Sequence, residues 1–381
     1  MSNAFLRFRA MNMSISLRRL RGDNMMFNEF ECKEVDPGEF ANHILDLFNS
    51  VFHRNIQMDQ FSWKYLASKP EKARTWLTTK KETGEVVAAI SAFKMTFFHE
   101  HREIIAYQLF DAMVKDEYRR HKIFSNTIRC LYDTLKKEGV DLCLAYGNSR
   151  SIPALNKILK DNVPMKSGHV FFHPIGLANV IQKFSLPPSI KPLFTFSLSP
   201  LYKTFCKAKI SLKTSNVRFL ELNKFDFVDM ISMDKLKDMH ILFPNRNAEY
   251  LSWKAFGPPD RIKNNLIIYA ITKNDSAVGY CILSKDEKRN VLVIQSILCI
   301  DEMLLKEAIV GILRMACDLK YDGVLTNCSS KIYQEQYAKL GFVKGANVLG
   351  AINDMKGAFG DSIGKDHFWL QEPMDRDLFS Y

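Results

Sequence analysis

The sequence predicts an α+β protein built from two domains in tandem, each a mixed, mostly antiparallel sheet flanked by helices. Three observations predict it. A chain of 381 residues is too long for one ordinary domain and comfortable for two. Its 47% apolar and 25% charged residues belong to a globular protein able to bury two cores. Above all, the chain repeats itself. Val35-Asp36-Pro37-Gly38-Glu39-Phe40 is echoed by Leu222-Asn223-Lys224-Phe225-Asp226-Phe227. Phe61-Ser62-Trp63-Lys64 returns as Leu251-Ser252-Trp253-Lys254, and Gly84-Glu85-Val86-Val87-Ala88 as Ser276-Ala277-Val278-Gly279-Tyr280. The echoes keep their order, and their spacing drifts slowly in one direction, as small loop insertions produce.

Each copy reads alike. A strand comes first, at Phe30–Val35 and at Val217–Leu222. Asp36 and Asn223 then stand as helix N-caps with an acid three residues on, and Pro37 takes the favoured first helical position. Phe40, Ile44, Leu47, Phe48 and Val51 mark one face of the first helix by their 3.6-residue period. An antiparallel meander follows, at Thr75–Thr79, Val86–Thr96 and Ile104–Val114, and again at Leu266–Thr272, Ala277–Ser284 and Val291–Ile300. A helix (Phe124–Glu138; Glu302–Lys320), a strand (Asp141–Tyr146; Gly323–Asn327) and a last helix and strand complete each copy. The expected domains are residues 27–173 and 217–381. Between them lies a basic, proline-containing connector, 174–216, with a short helix near Leu177–Phe184. Before them lies a basic arm, 1–26, holding Arg7, Arg9, Arg18, Arg19 and Arg21 and no acid before Asp23. The arm reads as a transit peptide, an amphipathic segment or an early start codon.

Composition narrows the function classes. No apolar run approaches the roughly 20 residues that span a bilayer. None of the eight cysteines forms a C-x-x-C pair, so no metal site is expected, and free thiols point to a reducing cytoplasm. The formal charge of +11 is unevenly spread, with no Asp or Glu from Asn162 to Leu220. That stretch is either a solvated connector or a face for an acidic partner, whether a phosphorylated substrate, a nucleic acid or a membrane surface.

The residues from the third meander strand into the next helix carry the chemistry. They read Asp111-Ala112-Met113-Val114-Lys115-Asp116-Glu117-Tyr118-Arg119-Arg120-His121-Lys122-Ile123-Phe124-Ser125. This resembles the acyl-CoA-binding motif of the GNAT acyltransferases, D-x-x-V-x-P-E-Y-R-G-K-G-I-G or -F. Together with the element order, the resemblance implies two tandem GNAT-like domains over nearly all of Phe27 to Phe368. It implies an acyl-CoA cofactor, acetyl-CoA first, with its pyrophosphate on the amides of a helix start. The cofactor-binding residues it assigns are Met113, Val114, Arg119, Arg120, His121, Lys122, Ile123, Phe124 and Ser125, with Asn148 on the following strand end. Asp116 replaces the motif's proline, and Arg120 and Lys122 replace glycines that let the backbone approach phosphate. Their charges either compensate for the lost glycines or mark a relic turn that binds nothing.

Two catalytic candidates follow from the resemblance. Asp111 is the candidate base or substrate-orienting residue, placed by strand alternation on the face opposite Ala112 and Val114. Tyr337, in Tyr337-Ala338-Lys339-Leu340-Gly341-Phe342, matches the family's tyrosine acid, or else is a packed core residue. The backbone near Met113-Val114 is placed to stabilise the oxyanion. His99, Glu100, His101 and Glu103 are weaker candidates on a polar turn. In the second copy Cys299-Ile300-Asp301-Glu302 stands where the basic loop should be, and an acidic helix start repels pyrophosphate. The expected activity is acyl-CoA-dependent N-acyl transfer from the first half to a small or phosphate-bearing amine, such as an amino sugar of a surface polysaccharide. A Fem-like transferase using aminoacyl-tRNA and a non-catalytic scaffold are the alternatives. Peripheral membrane contact is compatible with all three.

Overall fold

The computed structural model describes residues 29–99, 102–159, 162–164, 168–176, 191–226, 242–259 and 265–359, with only the backbone at 164 and 191–199. The basic arm, the connector helix at Leu177–Phe184 and the candidates Glu100 and His101 lie outside the described residues. Lys224, Phe225 and Asp226 are described and not helical, so Asn223 caps no helix at that point, and the chain from 227 to 241 lies outside the described residues.

Two mixed sheets carry the molecule. The first contains β1 (Phe30–Val35), β2 (Arg74–Lys80), β3 (Val86–His99), β4 (Arg102–Val114), β5 (Leu142–Tyr146) and β6 (Asn162–Pro164). The second contains β7 (His169–Pro174), β8 (Arg218–Glu221), β10 (Leu266–Lys273), β11 (Ser276–Asp286), β12 (Val291–Cys299), β13 (Gly323–Cys328) and β14 (Val343–Asn347). Two strands remain, the short β9 (Phe243–Pro244), which pairs with the end of β3, and β15 (Gly350–Asp354). Spatial order is β1-β2-β3-β4-β5-β15-β6 in the first sheet and β14-β7-β13-β12-β11-β10-β8 in the second. Both meanders thus form as their alternating and apolar runs predict.

The ends of the two copies are exchanged. β7 closes the first copy in sequence, yet it pairs antiparallel with β13 and β14 of the second sheet. β15 comes from the tail of the second copy and inserts between β5 and β6 of the first. The expected boundary at 173/174 falls inside β7. By compactness the chain also divides into two units. One gathers 29–66, Lys72–Phe93 and Leu109–Val140, and the other Ala67–Glu71, Lys94–Gln108 and the chain from Asp141 onward.

The first unit holds α1 (Ala41–Phe52), α2 (Met58–Phe61) running into a π-turn at Ser62–Leu66, and α3 (Ile123–Lys137). α1 buries Ile44, Leu47 and Phe48, the face that its period marks. Its start differs from expectation. Phe40 occupies the N-cap position without a side-chain cap bond, while the Asp36 carboxylate accepts from the Gly38 amide at 2.8 Å. Asp36 therefore closes a turn ahead of the helix, and Pro37 belongs to that turn. α3 buries Ile123, Thr127, Ile128, Leu131, Tyr132 and Leu135, a stripe at helical spacing. The Thr78 and Thr127 hydroxyls meet at 2.7 Å, which satisfies two polar groups inside that interface. The second unit holds α4 (Ser151–Ile158), α5 (Lys191–Ser211), α6 (Ala248–Ala255), α7 (Glu302–Asp318) and α8 (Lys331–Lys339).

Candidate active site

The segment from Val114 to Ser125 leaves β4, makes a 3₁₀ turn at Asp116–Tyr118 and enters α3 at Ile123. Apolar contacts fix both ends, because Val114 and Ile123 are buried with Phe30, Val87 and Ala88 while Tyr118 and Phe124 pack against them. The Glu85 carboxylate pins the turn by accepting from Lys115 Nζ and from the Tyr118 hydroxyl. Those bonds hold Glu85 below the usual carboxylate range and push the Tyr118 phenol up. Arg119 pairs with Asp116 at 2.7 Å on the surface.

The backbone of this loop has the conformation that glycine would supply. Arg120 has φ 71° and Lys122 φ 59°, both left-handed and both at the positions where the motif has glycine. A side chain there costs roughly 1–2 kcal/mol, so the loop keeps the motif's path against local preference. Arg119, Arg120, His121 and Lys122 are exposed. Lys122 is the N-cap of α3 with no side-chain cap bond, and no acid stands in the first turn. The amides of Ile123, Phe124 and Ser125 lie where no helix carbonyl reaches them. Amide donors and the positive end of the helix dipole meet there, with four basic residues just before them in the chain, a combination that suits an anion.

At the strand side of the loop, the Lys115 amide donates to Val87 O at 3.0 Å. By strand alternation the Val114 amide points away from β3. Three residues earlier the strand is irregular. Asp111 has φ 45°, so the regular pleat fails there. Ala112 is exposed and Met113 and Val114 are both buried, contrary to the simple alternation expected from the sequence. The Asp111 carboxylate turns inward and accepts from Lys64 Nζ at 2.7 Å and from the Tyr65 hydroxyl at 2.6 Å. Lys64 and Asp111 side chains are only 7% and 6% exposed. The lysine comes from the π-turn, whose wider winding buries Trp63, Lys64 and Tyr65 in succession. Its ammonium lies 4.8 Å from the Phe110 ring centroid, and Tyr65 stacks on Phe61. Neither Lys64 nor Tyr65 stood out in sequence, although the repeated Ser-Trp-Lys was the available signal.

The second copy ends its corresponding strand differently. Ile300 N donates to Val278 O at 3.1 Å, the counterpart of the bond from Lys115 to Val87. There, however, α7 is capped by Asp301, whose carboxylate accepts from the Leu304 amide at 2.8 Å. A carboxylate of the chain itself occupies the place an anion would take.

No protein-family model matches the sequence, and no curated protein is similar to it. Solved structures are similar in fold. A conserved protein of Enterococcus faecalis V583 termed a "probable N-acyltransferase" superposes with a TM-score of 0.60 at 10% identity, covering 86% of this chain and 73% of its own. A GCN5-related N-acetyltransferase from Anabaena variabilis ATCC 29413 gives 0.58 at 9% identity, with the same coverage. Saccharomyces cerevisiae N-myristoyltransferase with bound myristoyl-CoA gives 0.54 at 14% identity, over 86% of this chain and 79% of that one. The chain has the GNAT fold. Each of these matches spans both copies, as two tandem GNAT-like domains require.

The remaining candidates of the GNAT reading have structural partners. Asn148 accepts from the Arg150 and Ser151 amides at 2.9 and 3.0 Å, while its own amide donates to the Ser151 hydroxyl. It closes the turn that opens α4. Tyr337 is fully buried on α8, its ring 4.9 Å from Phe342 and 5.5 Å from Phe171. His99 lies at the end of β3 with its ring 5.0 Å from Phe359, and Glu103 is exposed on β4.

Proposed function

We propose that the chain is an acyl-CoA-dependent N-acyltransferase working from its first GNAT-like copy. The observation that carries this reading is the pair of left-handed residues Arg120 and Lys122, which hold a glycine-type anion cradle without glycine. Strain maintained at an exposed, basic helix start is the usual mark of a functional loop. In this reading the amides of Ile123, Phe124 and Ser125 take a pyrophosphate, with Arg119, Arg120, His121 and Lys122 around it. A bound acyl-CoA supplies an activated thioester, and the Val114 amide faces the carbonyl oxygen as charge develops on it.

Of the two roles open to Asp111, the geometry favours orientation. Its carboxylate is engaged by an ammonium and a phenol inside the protein, which suits holding the strand irregularity beside Met113 and Val114 better than accepting a proton from a substrate. Loss of the amine's proton to water then suffices for amide formation. The acceptor in this reading is a small amine, an amino sugar first, and the donor to test first is acetyl-CoA. A soluble donor and free thiols suit a cytoplasmic enzyme.

Calorimetric titration with acetyl-CoA and with free CoA tests the reading. Affinity in the micromolar range, roughly −8 kcal/mol, is expected for both, because the pyrophosphate is common to them. Changing Arg119 and Arg120 together to Ala should abolish it. Unchanged affinity in that variant would remove the site from this loop, and no binding of either ligand to the wild type would sink the reading.

A further inference from the structure

We infer that the outer face of α5 is a docking surface for an anionic lipid bilayer. The helix has two unlike sides. On the inner side Cys206 and Ile210 are buried, Lys203 pairs with Asp322 at 2.7 Å and Lys207 with Asp318 at 2.8 Å. Arg314 of α7 donates to the carbonyls of Ser211 and Lys213 at the helix end. These contacts fix which side faces solvent. On that side Leu201 is 68% exposed, Phe205 63% and Leu212 86%, with Ala208 between them also exposed. At 3.6 residues per turn Leu201, Phe205 and Ala208 fall within an arc of about 60°, and Leu212 follows one residue past the helix end, its amide still bonded to Ala208 O at 3.2 Å. They form one continuous apolar stripe that the protein leaves in water.

The charge beside the stripe identifies the partner. Lys209 is exposed next to it, and Lys213 follows Leu212. The Lys213 ammonium is held below the usual lysine range by burial and then by Lys209 and by Lys306 of α7, so three cations gather at this end. The segment itself has no acid from Asn162 to Leu220, and Asp322 and Asp318 are taken up by Lys203 and Lys207 on the other side of the helix. A phosphodiester backbone would satisfy the lysines but offer leucine and phenylalanine nowhere to go. An anionic bilayer accepts both, with apolar side chains below the headgroups and lysines among the phosphates. Among the described residues no helix is long and apolar enough to cross a membrane, so the contact is peripheral. The surface shares no residue with the cofactor loop, and its failure would leave the proposed activity untouched.

Co-sedimentation of the full chain with large vesicles tests this. Binding is expected to phosphatidylcholine vesicles containing about one third phosphatidylglycerol, to be weaker on pure phosphatidylcholine, and to fall as salt rises. Leu201→Ser/Phe205→Ser/Leu212→Ser should stay in the supernatant even at low salt while melting like the wild type and titrating CoA alike, since all three side chains are exposed. Lys209→Gln/Lys306→Gln should weaken binding to the anionic vesicles by about fivefold per lysine and not alter the small affinity for pure phosphatidylcholine. Wild type that does not sediment, a serine variant that sediments like wild type, or an RNA oligonucleotide bound equally by both overturns the inference.

Discussion

Lys64 and Asp111 form an ion pair whose side chains are 7% and 6% exposed, and this makes strong, opposite predictions for single and double substitutions. Lys64→Met keeps the length of the side chain but leaves a carboxylate in the interior with the Tyr65 hydroxyl as its nearest donor. It also removes the cation from the Phe110 and Phe48 rings. The cost of breaking a buried pair in this way is about 3–5 kcal/mol. Asp111→Asn also leaves a buried charge, the Lys64 ammonium, without its counter-ion, but is milder, about 2–3 kcal/mol, because the amide oxygen still accepts from both donors. Two independent losses would sum to roughly 5–8 kcal/mol. The double variant should instead cost less than Lys64→Met alone, since it buries no unpaired charge, giving a coupling above about 2 kcal/mol. Urea midpoints of the four proteins with a shared slope measure this. Additive losses would refute the buried pair. Kinetics separate the two roles of Asp111. If the residue orients the strand, both single variants lower kcat to a similar degree and leave CoA affinity unchanged. Turnover lost in Asp111→Asn and kept in Lys64→Met would restore it as the base.

Further predictions follow from single sites. His173, buried on β7, is pushed down to about 4 by burial first and by Lys213 and Lys209 next. It is neutral when folded and takes a proton near 6.5 when unfolded. Its contribution is thus complete above about pH 6.5 and lost as pH falls toward 4, by up to roughly 3 kcal/mol. His173→Gln should flatten that part of the stability curve, and an unchanged slope would exclude it. Cys130 is the one thiol described here as held below its usual range, chiefly by a hydrogen bond from Cys32, whereas Cys143 is pushed up to about 12 and Cys317 to about 11 by burial. Mass spectrometry after brief iodoacetamide treatment near neutral pH should find Cys130 modified ahead of those two. Lys122→Gly should stabilise the fold by up to about 1 kcal/mol, because φ 59° suits glycine. It should weaken CoA binding only by the loss of one charge. Loss of all binding in that variant would show that the side chain, and not the backbone, makes the site.

What was legible in the sequence was what apolar patterning encodes. The strands β1 to β5 and β10 to β13 lie within a few residues of their expected positions, since runs such as Val86–Thr96 are both apolar and bounded by turn residues. Patterning does not say which sheet a strand joins. His169–Pro174 and Gly350–Asp354 carry burial on their faces wherever they pair, so the exchange of β7 and β15 leaves no trace in composition. The start of α1 was misplaced because an aspartate before Pro-Gly caps a turn as readily as a helix. At Asp111 alternation failed for a conformational reason, as a positive φ breaks the period of two. The loop was legible through its basic residues and its likeness to a motif. That Arg120 and Lys122 would accept a glycine conformation was not, because propensity argues against it. Lys64 carries no sequence signal of its own burial, because lysine is a surface residue by default.

The two copies show which parts of this arrangement belong to the fold and which to the site. Both bury the lysine of the repeated Ser-Trp-Lys, with Lys64 and Lys254 6% and 3% exposed. In the second copy the ammonium lies 4.6 Å from the Trp253 ring centroid. A buried cation at this place therefore does not depend on a cofactor loop. The aspartate does vary with the loop. Four residues before the amide that bonds Val87, the first copy has Asp111; four before the matching amide of Ile300, the second has Ser296, a hydroxyl that accepts from the buried Arg246 at 3.2 Å. The copy with Asp111 has an α3 start that no side chain caps and that is ringed by exposed cations, while the copy with Ser296 has an α7 start closed by Asp301. Strand irregularity is common to both halves, since β12 bulges at Gln295 beside Ser296, but an inward carboxylate and a receptive helix start occur together in the first and are missing together in the second. That joint distribution is hard to produce by independent drift in a surface turn. It is what results when the two features serve one site, and it supports the proposal that the first copy is the half that keeps it.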